Sequence, residues 1–397
     1  MKRAWAFALA ALIASPLQAQ TLAQALAQAW AHAPQAGAFA ARDAEAQAGS
    51  ELASKLLAAP ASVSVSTLND RLGSGEGLQE WEVELTLPLW LPGQRGARET
   101  QAQSAADEVA ARRRALRLQL AGELRDAWWA LAAARADATL ADQRLATAAA
   151  LEADVQRRAK AGDLARVDAN LAAGERLAAR SAQLDAGRAL RSAEQAWRQL
   201  TGNPPPATLA PEAPAAASAP DDDHPALAAM LAASRTAQAR LQVAAATRRD
   251  APELALRYFR ERPTYNDEPT HAVGVKLTLP FSSGPRLRQE SAGLRAELAQ
   301  ADGELEQTRR KLALDAETAR LDLDAARRQI ELARERRALG ADTLALAQKS
   351  FALGESALPA LLLARAAAYE ADALLAREEI AADAAQSRLN QALGVLP

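Results

Sequence analysis

The sequence carries one set of landmarks twice, and the second set follows the first at a fixed interval of 192 residues. The paired landmarks are His32 and His224, the Leu-Thr-Leu-Pro segments at 85–88 and 277–280, Gly162 and Gly354, Gln199 and Gln391, and Gly202 and Gly394. Insertions within either half would have shifted this register. Each half is therefore predicted to be one complete structural unit, and the function is expected to depend on what two copies of that unit build together.

The composition favours long helices over a thick globular core. The chain has 397 residues, 4% of them aromatic, and much of its apolar content is alanine, a residue that suits closely packed helices. The formal net charge of -2 shows no basic excess that would indicate a nucleic-acid partner. No cysteine is present, which excludes disulfides, a thiolate nucleophile and a lipid anchor on an N-terminal cysteine.

Residues 1–19 have the pattern of a cleaved Sec signal peptide. Lys2 and Arg3 precede an apolar stretch at 4–14, and small residues lead to a cleavage site after Ala19. An apolar stretch of about eleven residues is too short to span a bilayer as a helix, which needs about 20. The mature protein is expected to be exported, and any membrane insertion is expected to use strands.

Each half contains an alternating pattern typical of a β-hairpin, at about 61–90 and about 252–281. The predicted strands are about eleven residues long, which is the length of transmembrane strands, whereas strands of soluble proteins cluster near five or six. Both hairpins are predicted to end at a proline. A soluble pair of hairpins remains the alternative.

Four transmembrane strands cannot close a barrel in lipid, so neighbouring chains must supply the remaining strands. Two chains give eight strands and a filled interior, while three give twelve and leave room for an aqueous lumen. A homotrimer is thus the smallest assembly that conducts. Its lumen is predicted to hold the charged side chains of the alternating segments, since lipid excludes them: Glu82, Glu84, Arg257 and Lys276.

Long coiled-coil helices are predicted outside the hairpins. Apolar residues recur in steps of three and four at 116–131 and again at 294–312. A continuous helix from 97 to 161 would extend about 95 Å at 1.5 Å per residue, which suits a tube. The fold class is thus mainly α with a small β part: antiparallel helical hairpins plus four strands per chain, forming a trimeric α/β barrel.

One break interrupts the helical pattern in each half, at about 161–165 and 353–357. At each break a glycine is expected to end one helix in a left-handed cap, and the following acidic or hydroxyl residue is expected to cap the next helix. The first repeat is assigned to 20–202 and the second to 224–397. The Pro/Ala-rich segment 203–223 between them is assigned as a linker.

The order and doubling of these elements resemble the TolC family of outer-membrane efflux ducts. The resemblance rests on the signal peptide, the duplicated helix–hairpin–helix order, the phrases at 87–95 and 277–284, and the two break sequences at 161–169 and 353–361. It implies a trimer with a twelve-stranded barrel in outer-membrane lipid and a periplasmic helical tunnel. It also implies a periplasmic adaptor (membrane fusion protein) at the helical tips and an RND-type inner-membrane pump.

The resemblance further assigns adaptor contact and gating to residues at the two breaks, namely Lys160, Gly162, Asp163, Leu164, Asp168, Phe351, Gly354, Glu355 and Ser356. Family members often carry acids in the second tip, where this chain has Ala360 and Leu363, and a tyrosine where it has Phe351. An acidic ring is therefore in doubt, and packing is expected to replace a hydroxyl bond at the gate. Asp168 is expected either to bond a neighbouring helix or to be solvated.

The phrase Pro-Gly-Gln-Arg at 92–95 and the histidines at 32 and 224 most resemble the branch that serves heavy-metal efflux pumps. No resident metal or cofactor site is expected, because soft metals need clusters of Cys, His and Met. His32 and His224 are interpreted as structural residues near helix starts. No phosphate-binding loop or nucleophile motif indicates an enzyme. A soluble periplasmic coiled-coil scaffold or adaptor is the alternative function.

Overall fold

The computed structural model describes residues 21–73, 75–208, 210–216, 219–281 and 284–397. The signal-peptide assignment at 1–19 lies outside these residues. Within the described residues the chain forms helices and strands in this order: α1 Leu22–His32, α2 Pro34–Ser54, β1 Ser62–Asn69, β2 Gln79–Pro88, α3 Gln94–Ala161, α4 Arg166–Thr201, α5 Pro225–Ala246, β3 Glu253–Arg262, β4 Thr270–Thr278, α6 Gly284–Ala352 and α7 Leu358–Ala392.

The internal repeat is present in the fold. The helices α2, α3 and α4 correspond to α5, α6 and α7, and β1 and β2 correspond to β3 and β4. The helix α1 breaks the symmetry. The residues 192 positions later are the end of the Pro/Ala-rich segment, 214–223, and the N-cap residue His224, and they form no helix where they are described. The two halves are thus alike except at the segment that leads into each.

The four strands form one antiparallel sheet in the order β1-β2-β3-β4, so β1 and β4 are its edges. The strands span 8, 10, 10 and 9 residues, somewhat shorter than the eleven expected from the sequence. Alternating polarity continued past the last ladder hydrogen bonds, and this explains the overestimate. The strand β2 ends at Pro88 as expected, but β4 ends at Thr278, two residues before Pro280.

The long helices run uninterrupted up to the predicted breaks. The helices α3 and α6 contain 68 and 69 residues, and each ends within one residue of its predicted break. Part of the apolar seam is buried, including Leu124, Leu131 and Leu305. The largest buried side chains, Trp128 and Trp197, pack against each other with ring centres 5.3 Å apart.

The chain divides into two compact units. One comprises the described residues of 1–33, 117–219 and 315–397, and it contains both helical breaks. The other comprises the described residues of 34–116 and 220–314, and it contains the sheet. In the first unit α1 packs against α3 and α4 through Leu22, Ala25 and Leu26, which share a cluster with Trp128 and Trp197.

The segment 203–223 was assigned as a linker, and part of it is held firmly against the first unit. Arg125 is 2% exposed and makes two hydrogen bonds of 2.8 Å to the carboxylate of Glu212. The same guanidinium donates to the carbonyl of Val395 at 2.9 Å. Asn390, also buried, accepts from the amide of Ala215 and donates to the carbonyl of Ala213. This segment therefore acts as a strap on α3 and α7.

None of the helices in the described part of the chain combines the length and the apolar character needed to cross a membrane.

Candidate functional sites at the sheet and at the helical turns

The sheet has one apolar and one polar face. Each row of directly paired residues crosses all four strands, and the rows alternate in chemistry. One row reads Val63, Leu85, Leu256 and Val275, whereas the next reads Ser64, Glu84, Arg257 and Gly274. The apolar side chains are largely exposed, Val63 at 66% and Val275 at 69%. In this chain alone, an apolar face therefore has no covering layer.

The polar face carries a charge-balanced network, and it contains all four residues that the sequence assigned to a lumen. Arg257 bridges Glu82 and Glu84, with 3.1 Å from its Nε to Glu84. Lys276 lies 3.7 Å from the same Glu84 carboxylate, which also accepts a hydrogen bond from the Thr86 hydroxyl. The strand register explains the grouping, because Glu84 is directly opposite Arg257.

The two helical turns have the same backbone geometry, residue for residue. Gly162 and Gly354 adopt φ values of 88° and 76°, in the left-handed region that favours glycine. Gly162 N–H donates to Ala159 and Asp163 N–H to Arg158, and the same two bonds recur 192 residues later, from Gly354 and from Glu355. This is the Schellman pattern of a helix C-terminus, so both glycine caps agree with the sequence.

The expected caps of the following helices differ from the structure. The N-cap residues are Ala165 and Ala357, neither of which offers a side-chain acceptor, and not Asp163, Glu355 or Ser356. In the first turn Asp168 supplies the missing acceptor, taking a 3.2 Å hydrogen bond from the Ala165 N–H. Its counterpart in the second turn is Ala360, which has no such group. The two turns thus share a backbone but differ in charge.

A hydrophobic cluster joins the helices behind the two turns. It buries Leu151, Val155, Ala172, Phe351, Leu358 and Leu361, and Leu164 packs against it. Phe351 is 5% exposed, and the Arg158 guanidinium lies 4.9 Å from its ring centre. Phe351 is therefore an internal packing residue of its own chain. The contact between Arg158 and Phe351 could not be predicted from the sequence, because the two residues are distant along the chain.

The remaining turn residues are directed to solvent, apart from one. Lys160, Gly162, Asp163, Gly354 and Glu355 are exposed. The Ser356 hydroxyl is buried and has no hydrogen-bond partner among the described residues. These exposed groups carry both charges, and the apolar side chains of Val167 and Leu353 are exposed beside them.

The two repeat-related histidines occupy different positions. His224 is the N-cap of α5, where its Nδ1 accepts from the Ala226 N–H at 3.2 Å. Burial lowers the pKa of this ring below its ordinary value, and Asp221 partly opposes that effect. His32 is the last residue of α1 and lies two residues before Pro34, where α2 begins, so it is near a helix start as expected. The described residues contain no group of three or more His, Cys, Asp or Glu that could hold a metal.

The comparisons with known proteins agree with this geometry. Residues 222–395 match the family model described as outer membrane efflux protein. No curated protein sequence matches the chain significantly. The fold is similar to that of solved outer-membrane proteins over nearly the whole chain.

Three of these structures show the extent of the similarity. The outer membrane protein VceC of Vibrio cholerae is 17% identical with a TM-score of 0.73, over 94% of this chain and 96% of that one. The Campylobacter jejuni CmeC outer membrane channel is 14% identical with a TM-score of 0.75, over 95% and 86%. The Neisseria gonorrhoeae MtrE outer membrane channel in its open state is 16% identical with a TM-score of 0.73, over 94% and 89%. These likenesses establish a shared fold.

Proposed function

We propose that this protein is an outer-membrane exit duct that passively conducts substrates out of the periplasm. One observation carries the proposal: a sheet with open edges has an exposed apolar face and, behind it, a charged and internally paired face. Exposing an apolar face of this extent and two open strand edges to water is unfavourable. Lipid can cover the apolar face, and strands of neighbouring chains can pair with the edges. The match of residues 222–395 to the efflux family model supports this function.

The conducting form is a homotrimer with twelve strands. Four strands per chain leave the edges of β1 and β4 unpaired, and three chains are the smallest number that closes a barrel around water. The apolar face is then directed to lipid. The network of Glu82, Glu84, Arg257 and Lys276 is directed to the lumen, where charged side chains are tolerated.

The helical turns are the periplasmic entrance in this proposal. A periplasmic adaptor contacts the exposed residues of the two turns and spreads the helices, and an inner-membrane RND-type pump provides the driving force. The resemblance at 92–95 favours pumps for heavy metals, which would pass as hydrated ions. Selection then belongs to the pump, since this chain offers scattered histidines and no cysteine.

Fractionation tests the location and assembly. We expect the native protein to sediment with the outer membrane, to need detergent for extraction, and to migrate as a trimer that dissociates on heating. A protein that stays in the periplasmic fraction without detergent, as a single copy, would contradict the duct and favour the soluble scaffold or adaptor.

A second experiment tests the entrance. Proline at Gly162 or Gly354 cannot adopt the positive φ and removes the N–H that bonds the helix end. We expect Gly162→Pro and Gly354→Pro to abolish export while the trimer still inserts. Export assays in a deletion strain, over a panel of metals and organic toxicants, would identify the substrate class, and unchanged export in both variants would exclude the turns from the mechanism.

A further inference from the structure

The apolar face of the sheet changes its chemistry near the two hairpin turns. Three successive rows of paired residues on this face consist of Leu and Val side chains and one tyrosine, Tyr258. The next row towards the turns contains an aromatic ring and two basic side chains: Thr67, Trp81, Arg260 and His271. The last row pairs Asn69, Gln79 and Arg262. The apolar face therefore ends in a basic and aromatic border.

The arginines of this border have no counter-ion in the sheet. Within the four strands this face carries no Asp or Glu, and its fixed charges are Arg260 and Arg262 alone. Arg260 is exposed and has no hydrogen bond or ion pair among the described residues. The Nε of Arg262 is buried and likewise lacks a hydrogen-bond partner there. On the polar face, by contrast, Arg257 pairs with two carboxylates. The border lacks the anion that the polar face supplies to its own arginine.

A histidine is held beside Arg260. His271 is directly opposite Arg260 on β4, and directly opposite residues have Cβ atoms about 4.5–5.5 Å apart. The Tyr258 hydroxyl lies 2.7 Å from Nδ1 of His271, and the two rings are stacked with centres 5.9 Å apart. A hydroxyl that donates to Nδ1 leaves the ring hydrogen on Nε2. Tyr258 thus orients a second N–H donor next to the guanidinium.

The length of the apolar face places this border at the surface of a bilayer. Exposed apolar side chains recur at every second residue from Val273 to Phe281. The ten-residue interval from His271 to Phe281 spans about 33 Å along an extended chain, or about 25 Å in height at a strand tilt of about 40°. The apolar band of outer-membrane barrels is also about 25 Å tall. Arg260 and His271 are then level with lipid headgroups.

We propose that Arg260 and His271 bind the phosphate group of a lipid in the outer leaflet. The site rests on the proposed function, which puts the hairpin turns outside the cell and the apolar face against lipid. A guanidinium matches two phosphate oxygens at once, and His271 adds a donor from the adjacent strand. The occupant is a lipid and not a free anion, because the cations continue directly into rows of Leu and Val on which acyl chains can lie.

Native mass spectrometry of the detergent-extracted trimer tests the site, with lipid A carrying both phosphates as the probe and dephosphorylated lipid A as its match. We expect the phosphorylated form to bind at least about tenfold more tightly, which is the factor one charged hydrogen bond provides. Arg260→Gln should remove this preference and leave binding of the dephosphorylated form unchanged. His271→Phe keeps an aromatic ring and should reduce the preference.

The matched control is Arg310→Gln, which removes the same charge from an exposed position on α6 and should leave the preference intact. If Arg260→Gln does not assemble, His271→Phe carries the test. Equal binding of the two lipid A forms, an equal loss in the control, or displacement of the lipid by inorganic phosphate alone would overturn the site. A detergent-requiring trimer without the preference would leave the duct standing, whereas a detergent-free single-copy protein would remove both proposals.

Discussion

The Arg158 guanidinium lies 4.9 Å from the centre of the Phe351 ring, and this contact joins the helix before the first turn to the helix before the second. The ring is buried beneath it in the cluster that also contains Leu358 and Leu361. The two turns of one chain are therefore mechanically coupled: displacing one helix end disturbs the support of the other.

Truncating this ring is expected to loosen both turns at once. The change Phe351→Ala should cost about 3–5 kcal/mol, as is usual for a buried phenylalanine. Arg158→Met retains most of the aliphatic cover and should cost only about 0.5–1 kcal/mol. Hydrogen exchange at 159–165 and 351–358 provides the measurement. Faster exchange at one turn alone would show that the cluster does not couple them.

The acidic cap at Asp168 is expected to stabilise the first turn of α4. Replacing it by alanine removes the acceptor for the Ala165 N–H and should cost about 0.5–1 kcal/mol. The reciprocal change Ala360→Asp should add a cap of the same kind to α7. Asp163→Ala is the control, since this exposed residue caps neither helix. Hydrogen-exchange rates of the amides at 165 and 357 would report both effects. An unaltered rate at 357 in Ala360→Asp would show that an acid at this position does not cap α7 as Asp168 caps α4.

The buried pair of Arg125 and Glu212 is expected to hold the strap in place. Removing one partner strands the other charge in a buried site, so Arg125→Met or Glu212→Gln should each cost about 3–5 kcal/mol. The double variant should cost less than the sum of the two. Denaturant unfolding measures the coupling, and limited proteolysis within 203–223 measures release of the strap. Strictly additive losses would mean that the two side chains act independently.

The cap at His224 makes stability depend on pH. Burial lowers the pKa of His224, so the folded ring stays neutral while the unfolded ring, with an ordinary pKa of 6.5, takes up a proton. The unfolded state then binds more protons, and stability falls as the pH drops through 6.5 towards the folded pKa, by at most about 1.4 kcal/mol per pH unit. His224→Asn caps without titrating, so its unfolding midpoint should fall less between pH 7.5 and 5.5. An identical fall in both proteins would assign the effect to other groups.

In the proposed duct, the network on the polar face is expected to set the ion preference. The four charges balance, so Arg257→Ala changes the total from 0 to −1 per chain. The variant should become more cation-selective, because a lumen with a negative surplus concentrates cations. Reversal potentials across planar bilayers under a KCl gradient measure this. Arg260→Ala is the control. Arg260 lies on the opposite face of the same strand, so its removal should leave the reversal potential unchanged.

Much of this architecture could be predicted from the sequence, because the strands and the helical turns each have a clear local pattern. The alternation on each strand fixed which side chains share a face, so Glu82, Glu84, Arg257 and Lys276 could be grouped in advance. The glycines in the helical pattern gave both turns within a residue. Each of these features depends on local spacing, which a sequence displays directly.

Other features could not be predicted, because they depend on distant partners or on which of several nearby residues forms the hydrogen bond. Glu212 lies 87 residues from Arg125, and its Pro/Ala-rich surroundings are typical of a loose linker. The cap at Asp168 was missed because the acceptor acts from three residues inside the helix while the residue next to the glycine was expected to act. The helix that ends at His32 has no counterpart directly before His224 among the described residues, and the sequence repeat did not indicate this difference.

The replacement of a helix by a strap in the second half limits the stoichiometry of any partner. In the ring of three chains proposed above, α1 and the strap each occur three times, whereas the helices that the two halves share occur six times. A protein that recognises α1 or the strap would bind three times per ring. One that reads only the shared helices can bind six times.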